Sequence, residues 1–376
     1  MQEPLRVLQI MGIVQNGGVE AIIMNYYKHI DRDKVQFDFV VHKGSNKAYL
    51  DTAKSLGAHI YEVTPYTNNF LSFTFEIYRI IKKNHYNIVH SNMNTLSVFP
   101  LFAAWAANAK IRILHNHTTD NKAEGLRSFI KRFLRPFARL FANHYWACSK
   151  LAGEWMYGKS FVDKGKVTII RNAIDLDKFK FNQAKRNELR NQFGLEGKFV
   201  LGHVGRFMKQ KNHKFLIDVF DELQKCYPNS VLVLVGDGPL KEEIKNKVNS
   251  LGLTDKVLFM GNIDYVADLY SALDVFLLPS LYEGLPVVGI EAQANGVAFL
   301  CSDYVTKEIE MSNTINFITI DSGVKVWVDS ILKIGITHSK NNRNDNLILD
   351  YDIILQTKLL ELEYIRFIIN LKGDCI

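Results

Sequence analysis

Ser280-Leu281-Tyr282-Glu283-Gly284-Leu285-Pro286-Val287-Val288-Gly289-Ile290-Glu291 is the stretch that decides the fold. It follows the apolar run 275–278, which reads as a strand, turns at Gly-Leu-Pro, and opens a segment of helical spacing that carries Glu291. Strand, turn and helix in that order make half of a βαβ unit. Outward from it, apolar runs at 199–204, 231–235, 257–259 and 297–301 alternate with amphipathic segments and predict one doubly wound, parallel-sheet domain. A matching series stands upstream at 5–10, 36–41, 59–62, 87–90, 111–114, 144–147 and 167–170, with helical spacing at 19–30 and 71–83. After Asp321 the pattern weakens through the polar stretch 338–346, and a helix-like run, 353–369, follows.

The chain is α/β, with two Rossmann-like domains expected to leave a cleft between them. The boundaries read from the sequence are 1–175 for an acceptor-side domain, 176–350 for a nucleotide-binding domain, and 351–376 for a C-terminal helix packing back on the first domain. A length of 376 residues suits two domains, and 47% hydrophobic with 23% charged residues describes a chain that folds throughout. The longest apolar run, 98–109, is shorter than the ~20 residues that cross a bilayer, and the first residues lack the features of a signal peptide. A cytoplasmic protein is expected, with a peripheral position on the inner face of the cell membrane as the alternative. Cys148, Cys226, Cys301 and Cys375 show no C-x-x-C pair and no zinc-type spacing.

Residues through Lys178 hold 24 Lys+Arg against 14 Asp+Glu, and the remainder 22 against 25. Only the first half is basic, which fits either an anionic partner or a solvated basic surface. Within it, 126–142 carries Arg127, Lys131, Arg132, Arg135 and Arg139, no acidic residue, and apolar residues at helical spacing around Pro136. This reads as an amphipathic helix on an anionic membrane surface, or as a core-packed helix with a basic outer face. No aromatic-rich basic sheet or recognition helix is present, so nucleic acid is not an expected partner.

Open α/β sheets bind ligands beyond the carboxyl ends of their strands, and the distinctive residues stand there. After the first strand, Gly17-Gly18 leads into a helix whose free N–H groups attract phosphate. After the first strand of the second domain, Arg206 leaves the strand and Lys211 enters the next helix, a fork-shaped donor and a point charge suited to a diphosphate. Glu283 and Glu291 offer carboxylates to sugar and ribose hydroxyls, and the amides of Gly284 and Leu285, read as a helix start, can meet the phosphate between them.

Together these segments resemble the retaining GT-B glycosyltransferases of sequence family 4, bacterial capsule and exopolysaccharide enzymes in particular, over nearly the whole chain. The resemblance implies a nucleotide-sugar donor, UDP-linked, and a glycan or lipid-linked acceptor, with no cofactor and no metal. It implies that Arg206 and Lys211 hold the donor diphosphate, Glu283 the transferred sugar and Glu291 the ribose. Gly236, in Val235-Gly236-Asp237-Gly238-Pro239, would lie beside the nucleotide, and Asn262 and Ile263 would meet the base. The family's donor-facing His of the first domain is matched by His117, with His115 as the alternative, in Ile113-Leu114-His115-Asn116-His117-Thr118-Thr119-Asp120. Gly296-Val297-Ala298-Phe299 and Asp303-Tyr304-Val305-Thr306 depart from the family's usual glycine-rich donor loop.

Two other readings share this fold: a nucleotide-sugar 2-epimerase, which needs no acceptor, and a non-catalytic nucleotide-sugar-binding protein. A metal-dependent transferase would need a D-x-D motif after a strand. Asp31-Arg32-Asp33 follows a helix and Asp175-Leu176-Asp177 lies in the linker.

Overall fold

A computed structural model describes residues 3–15, 17–118, 126–338 and 349–373. Asn16, Thr119, Asp120, most of the polar stretch 338–346 and Cys375 lie outside the described residues, as do the side chains of Arg127 and Lys131. The chain divides into two compact units, Met1–Ile174 with Asp350–Ile376, and Asp175–Leu349.

The first unit opens with β1 (Leu5–Ile10), α1 (Gly18–His29), β2 (Val35–His42), α2 (Lys47–Ser55), β3 (Ile60–Val63), α3 (Phe70–Asn84) and β4 (Ile88–Ser91). It continues through α4 (Val98–Ala106), β5 (Ile111–Asn116), α5 (Leu126–Phe141), β6 (His144–Ala147), α6 (Lys150–Tyr157), α7 (Lys159–Asp163) and β7 (Thr168–Ile169). All seven strands run parallel in the order β3-β2-β1-β4-β5-β6-β7. Helices cover such a sheet on both faces, which is why β2, VQFDFVVH, is buried at every position. Its one carboxylate, Asp38, is satisfied by Arg6, by the His59 N–H at 2.7 Å and by the Tyr86 hydroxyl at 2.7 Å.

The second unit holds α8 (Leu176–Phe179), α9 (Gln183–Gln192), β8 (Phe199–Val204), α10 (His213–Cys226), β9 (Ser230–Val235), α11 (Lys241–Ser250), β10 (Val257–Gly261) and α12 (Val266–Ala272). It ends with β11 (Val275–Leu278), α13 (Val287–Asn295), β12 (Ala298–Ser302), β13 (Ile315–Ile318) and α14 (Val324–His338). Its sheet is parallel in the order β10-β9-β8-β11-β12-β13. The core between this sheet and α10, α11 and α14 includes Phe207, Phe220, Leu234 and Trp327. Asp274, just before β11, binds Arg186 and Arg190 of α9 and the Val200 N–H, tying the helix to the sheet.

α15 (Ile353–Gly373) completes the first unit. Ile174 exchanges backbone hydrogen bonds of 2.9 Å with Tyr351 and Ile353, and Tyr364 sinks into the core against Phe37 and Trp146.

Three local readings are corrected by the structure. α14 fills 324–338 of the stretch after Asp321 where a weakening pattern was expected, and β13, just before it, is a strand the sequence reading lacked: a four-residue edge strand with two half-exposed positions gives almost no periodicity. Lys211 ends a short 3₁₀ turn, Lys209–Lys211, and Asn212 in the left-handed region separates it from α10. α13 starts at Val287 after Pro286, so Gly284 and Leu285 precede the helix, and its leading amides are those of Val287 and Val288.

Candidate functional site

In the second unit the winding direction reverses between β8 and β11, and the crevice at such a switch point is where doubly wound sheets take ligands. The loops leaving those two strands are stapled together. The Leu281 N–H donates to the Gln210 carbonyl at 2.8 Å, and Gln210 Nε2 donates to the Tyr282 carbonyl at 3.0 Å and to Glu283 Oε2 at 2.9 Å. Lys211 Nζ completes the cluster on Glu283 Oε1 at 2.6 Å, with side chains only 14% and 9% exposed. Two residues the sequence assigned separately, one to a diphosphate and one to a sugar, are here one ion pair. Arg206, in the same loop, is exposed and pairs with no group among the described residues.

The loop holding Arg206 is shaped from behind. Gly236 and Gly238 adopt φ values of +128° and +156°, and a Cβ at Gly238 would stand 2.6 Å from the Phe207 carbonyl. That close approach lets the Gly205 N–H reach the Val235 carbonyl at 2.9 Å and the Phe207 N–H reach the Asp237 carbonyl at 3.0 Å. Asn262 is exposed and Ile263 half-buried just past β10, whose Gly261 carbonyl accepts from the Gly236 N–H at 2.8 Å.

Glu291 lies on α13 and accepts a hydrogen bond from the Tyr270 hydroxyl at 2.9 Å. Burial outweighs that bond and the pull of Lys178 and Lys211, and lifts its carboxyl from the ordinary 4.5 to about 7. Beneath the Arg206 loop, His213 stacks on Phe207, and burial lowers its imidazole to about 4, so it is neutral. Gln210 and Tyr270 are the partners sequence reasoning missed; Gln210's place beside Lys211 was the only available signal.

In the first unit the switch point lies between β1 and β4. Gly17 caps α1 and Gly18 begins it, but the Glu20 carboxylate folds back over this turn and accepts from the Gln15 N–H at 3.3 Å. A carboxylate thus already occupies the neighbourhood expected to attract phosphate. β5 extends to Asn116, so His115 is a strand residue rather than a loop residue. Its ring stacks on His90, with Nδ1 3.0 Å from His90 Nε2. His117 is buried just past the strand, its N–H donating to Asn94 Oδ1 at 2.7 Å and its Nε2 3.0 Å from Asn92 Oδ1. Burial holds the His117 imidazole down to about 3, neutral at any physiological pH. A cavity of about 380 Å³ opens beyond β1 and β2, lined by Gly12, His42, Tyr66, Asn68, Met93 and Leu96, and His42 Nε2 has no hydrogen-bond partner among the described residues.

α5 turns one side to the core of the first unit. Ala138 and Ala142 are buried, Arg135 donates to the Trp155 carbonyl at 2.6 Å, and Arg139 lies over the Phe161 ring. The outward side exposes Phe133, Phe137 and Leu140 together with Arg132, and Phe102 and Trp105 of α4 are exposed as well.

Two parallel, doubly wound units in one chain are the make-up of the GT-B fold. The family described as "Glycosyl transferases group 1" matches residues 185–334, and "Glycosyltransferase Family 4" matches 16–178. A protein of Bacillus subtilis (strain 168) named as a glycosyltransferase, EpsF, is 33% identical over 335 residues, 87% of each chain. The chain therefore belongs to the group 1, family 4 glycosyltransferases. The UDP-Gal:alpha-D-GlcNAc-diphosphoundecaprenol alpha-1,3-galactosyltransferase of Escherichia coli is 27% identical, over 78% of this chain and 79% of that one. Anabaena HepE, solved in complex with UDP-glucose, shares the fold with a TM-score of 0.77 at 18% identity, over 96% of this chain and 99% of the other.

Proposed function

We propose that the chain transfers a sugar from a UDP-sugar to a glycan or lipid-linked saccharide, with retention at the anomeric carbon, in the synthesis of a bacterial capsule or exopolysaccharide. The observation that carries this reading is the switch-point cluster of the second unit, where the unpaired guanidinium of Arg206 shares a loop with the Lys211–Glu283–Gln210 network. Arg206 and Lys211 hold the diphosphate and stabilise its charge as the glycosidic bond breaks. Each Glu283 oxygen keeps a lone pair for a sugar hydroxyl after accepting from Lys211 or Gln210. Glu291 takes the ribose hydroxyls, Gly236, Asn262 and Ile263 flank the base, and the amides leading α13 face phosphate. His117 of the first unit serves the transferred sugar as a neutral group.

Retention by double displacement needs a free carboxylate nucleophile. Glu283 is tied at both oxygens and Glu291 is held by Tyr270, so neither fits that role. The donor's own phosphate instead accepts the acceptor's proton on the face that the leaving group vacates. The E. coli relative's name specifies a diphosphoundecaprenol acceptor, and the exposed aromatic side of α4 and α5 suits the surface of a membrane that carries such a lipid.

The test is an assay with UDP-hexoses and a polyprenyl-diphosphate-linked sugar in EDTA, with proton NMR of the first product. A retained anomeric configuration is expected. An inverted product overturns the mechanism, complete loss in EDTA restored by manganese overturns the metal-free reading, and epimerised donor without transfer overturns the activity. Flotation with anionic vesicles that Leu140→Asp leaves unchanged would remove the membrane claim.

A further inference from the structure

α15 carries two apolar stripes where a surface helix needs one. Ile353, Leu360, Tyr364 and Phe367 are buried in the first unit. Leu355, Leu359, Leu362 and Ile369 are between 44% and 62% exposed, and Arg366 stands exposed among them. At about 3.6 residues per turn this second stripe lies half a turn from the first, on the side of the helix turned away from the core.

The spacing of the outer stripe says what fits it. Leu355, Leu359, Leu362, Arg366 and Ile369 follow at intervals of four, three, four and three residues. That is the seam of a heptad repeat, with Leu355, Leu362 and Ile369 at d positions and Leu359 and Arg366 at a positions. A seam this narrow takes a second helix. A lipid surface takes a wider apolar face with basic edges, and here Glu361 and Glu363 offset Lys358 and Arg366 along the helix.

Charge selects the second helix and its direction. In parallel pairing a g residue faces the e residue of the next heptad on the other strand. Lys358 stands at g and Glu363 at e, so two copies of α15 side by side set Lys358 of each against Glu363 of the other. Antiparallel pairing brings g to g and e to e, and with Lys358 and Ile365 at g and Gln356 and Glu363 at e it makes no opposite-charge contact. Arg366 meets its own copy in the parallel pair, and its guanidinium donates to Glu363 of the same helix at 2.8 Å, which offsets the like charges. A single polar a position in a leucine seam fixes register and strand number at some cost in stability.

We propose that two copies of the chain associate through the outer stripes of their C-terminal helices, in parallel, about a twofold axis. Packing on the first unit already holds α15 in helical form, so association carries no cost of forming it. The proposal is independent of the glycosyl-transfer reading.

Sedimentation equilibrium of the full chain, with thiols kept reduced, tests this. The stripe runs about 21 Å, short for a coiled coil, so the mass should rise from 43.1 kDa towards twice that value as concentration rises from roughly 1 to 100 μM. A single-chain mass throughout that range overturns the proposal. Leu362→Glu should weaken the dimer at least about a hundredfold while the circular-dichroism melting curve stays in place, and Leu359→Gln should act in the same sense by a milder change. A dimer unaffected by either removes the stripe as the interface. Lys358→Glu should weaken it about tenfold, and no weakening overturns the charge pairing. In a Cys226→Ser, Cys375→Ser background, Leu362→Cys should form a disulfide-linked dimer on oxidation, because parallel pairing sets the two d positions face to face. A protein that doubles in mass without forming that crosslink overturns the parallel register. A single-chain protein whose binding to anionic vesicles is lost in Leu362→Glu assigns the stripe to a lipid surface and overturns the proposal.

Discussion

Replacing Glu291 by Gln should stabilise the unliganded protein, and by an amount that depends on pH in a calculable way. In the fold the carboxyl ionises near 7, while in the unfolded chain it ionises near 4.5. Below pH 4.5 it is protonated in both states and nothing is lost. Between 4.5 and 7 the unfolded chain releases its proton and the fold retains it, so wild-type stability falls as pH rises, and above 7 the deficit is constant. At 1.36 kcal/mol per pH unit this deficit reaches about 3 kcal/mol at pH 8 and stays under about 1 kcal/mol at pH 5. Gln keeps an oxygen for the Tyr270 hydroxyl and carries no charge, so Glu291→Gln should exceed the wild type by those amounts. Urea denaturation followed by circular dichroism at both pH values measures the difference, in which the other titrating groups cancel. An equal difference at the two pH values, or a less stable variant at pH 8, would refute the reasoning. If Glu291 holds the ribose as proposed, the same variant should also gain a smaller thermal shift from UDP.

Arg206→Ala should leave the melting temperature within about a degree and lower turnover roughly a hundredfold, a loss of about 2–4 kcal/mol in the transition state; steady-state kinetics alongside a melting curve test this, and near-normal turnover would sink the diphosphate role. Lys211→Met strands the Glu283 carboxylate with Gln210 alone and should cost about 3–5 kcal/mol, most of it recovered on adding Glu283→Gln, as a double-mutant cycle in urea would show. Gly238→Ala forces a side chain against the Phe207 carbonyl at a φ that favours glycine, and should cost at least about 1–3 kcal/mol, read as a shifted denaturation midpoint.

The strands of both sheets could be read from sequence because a parallel strand covered on both faces is a short unbroken apolar run, as in 275–278 and 231–235. β13 lacked that signature, since Asn316 and Phe317 are only half-buried at the sheet edge. Candidate site residues were legible by position, because the residue types that bind charge stand after strands. Their partners were not. The contact between Lys211 and Glu283 spans 72 residues of chain, and that between Gln9 and Tyr364 spans 355. Contacts of that range are set by the topology of the sheets and carry no local spacing. His115 was misplaced in a loop for a related reason: a buried polar network lets a strand end in polar residues, which the apolar pattern alone reads as the strand's end.

The return of α15 to the first unit bears on how the protein is born. Residues 175–349 interrupt one fold with another, so the sheet made first, β1 to β7, lacks Tyr364 and its neighbours until the ribosome has delivered the whole intervening unit. At roughly 5–20 residues per second that interval lasts about 10–40 s. During it Gln9 and His90 wait without the hydroxyl that joins them, and the side of α1 that α15 will cover stays open to solvent.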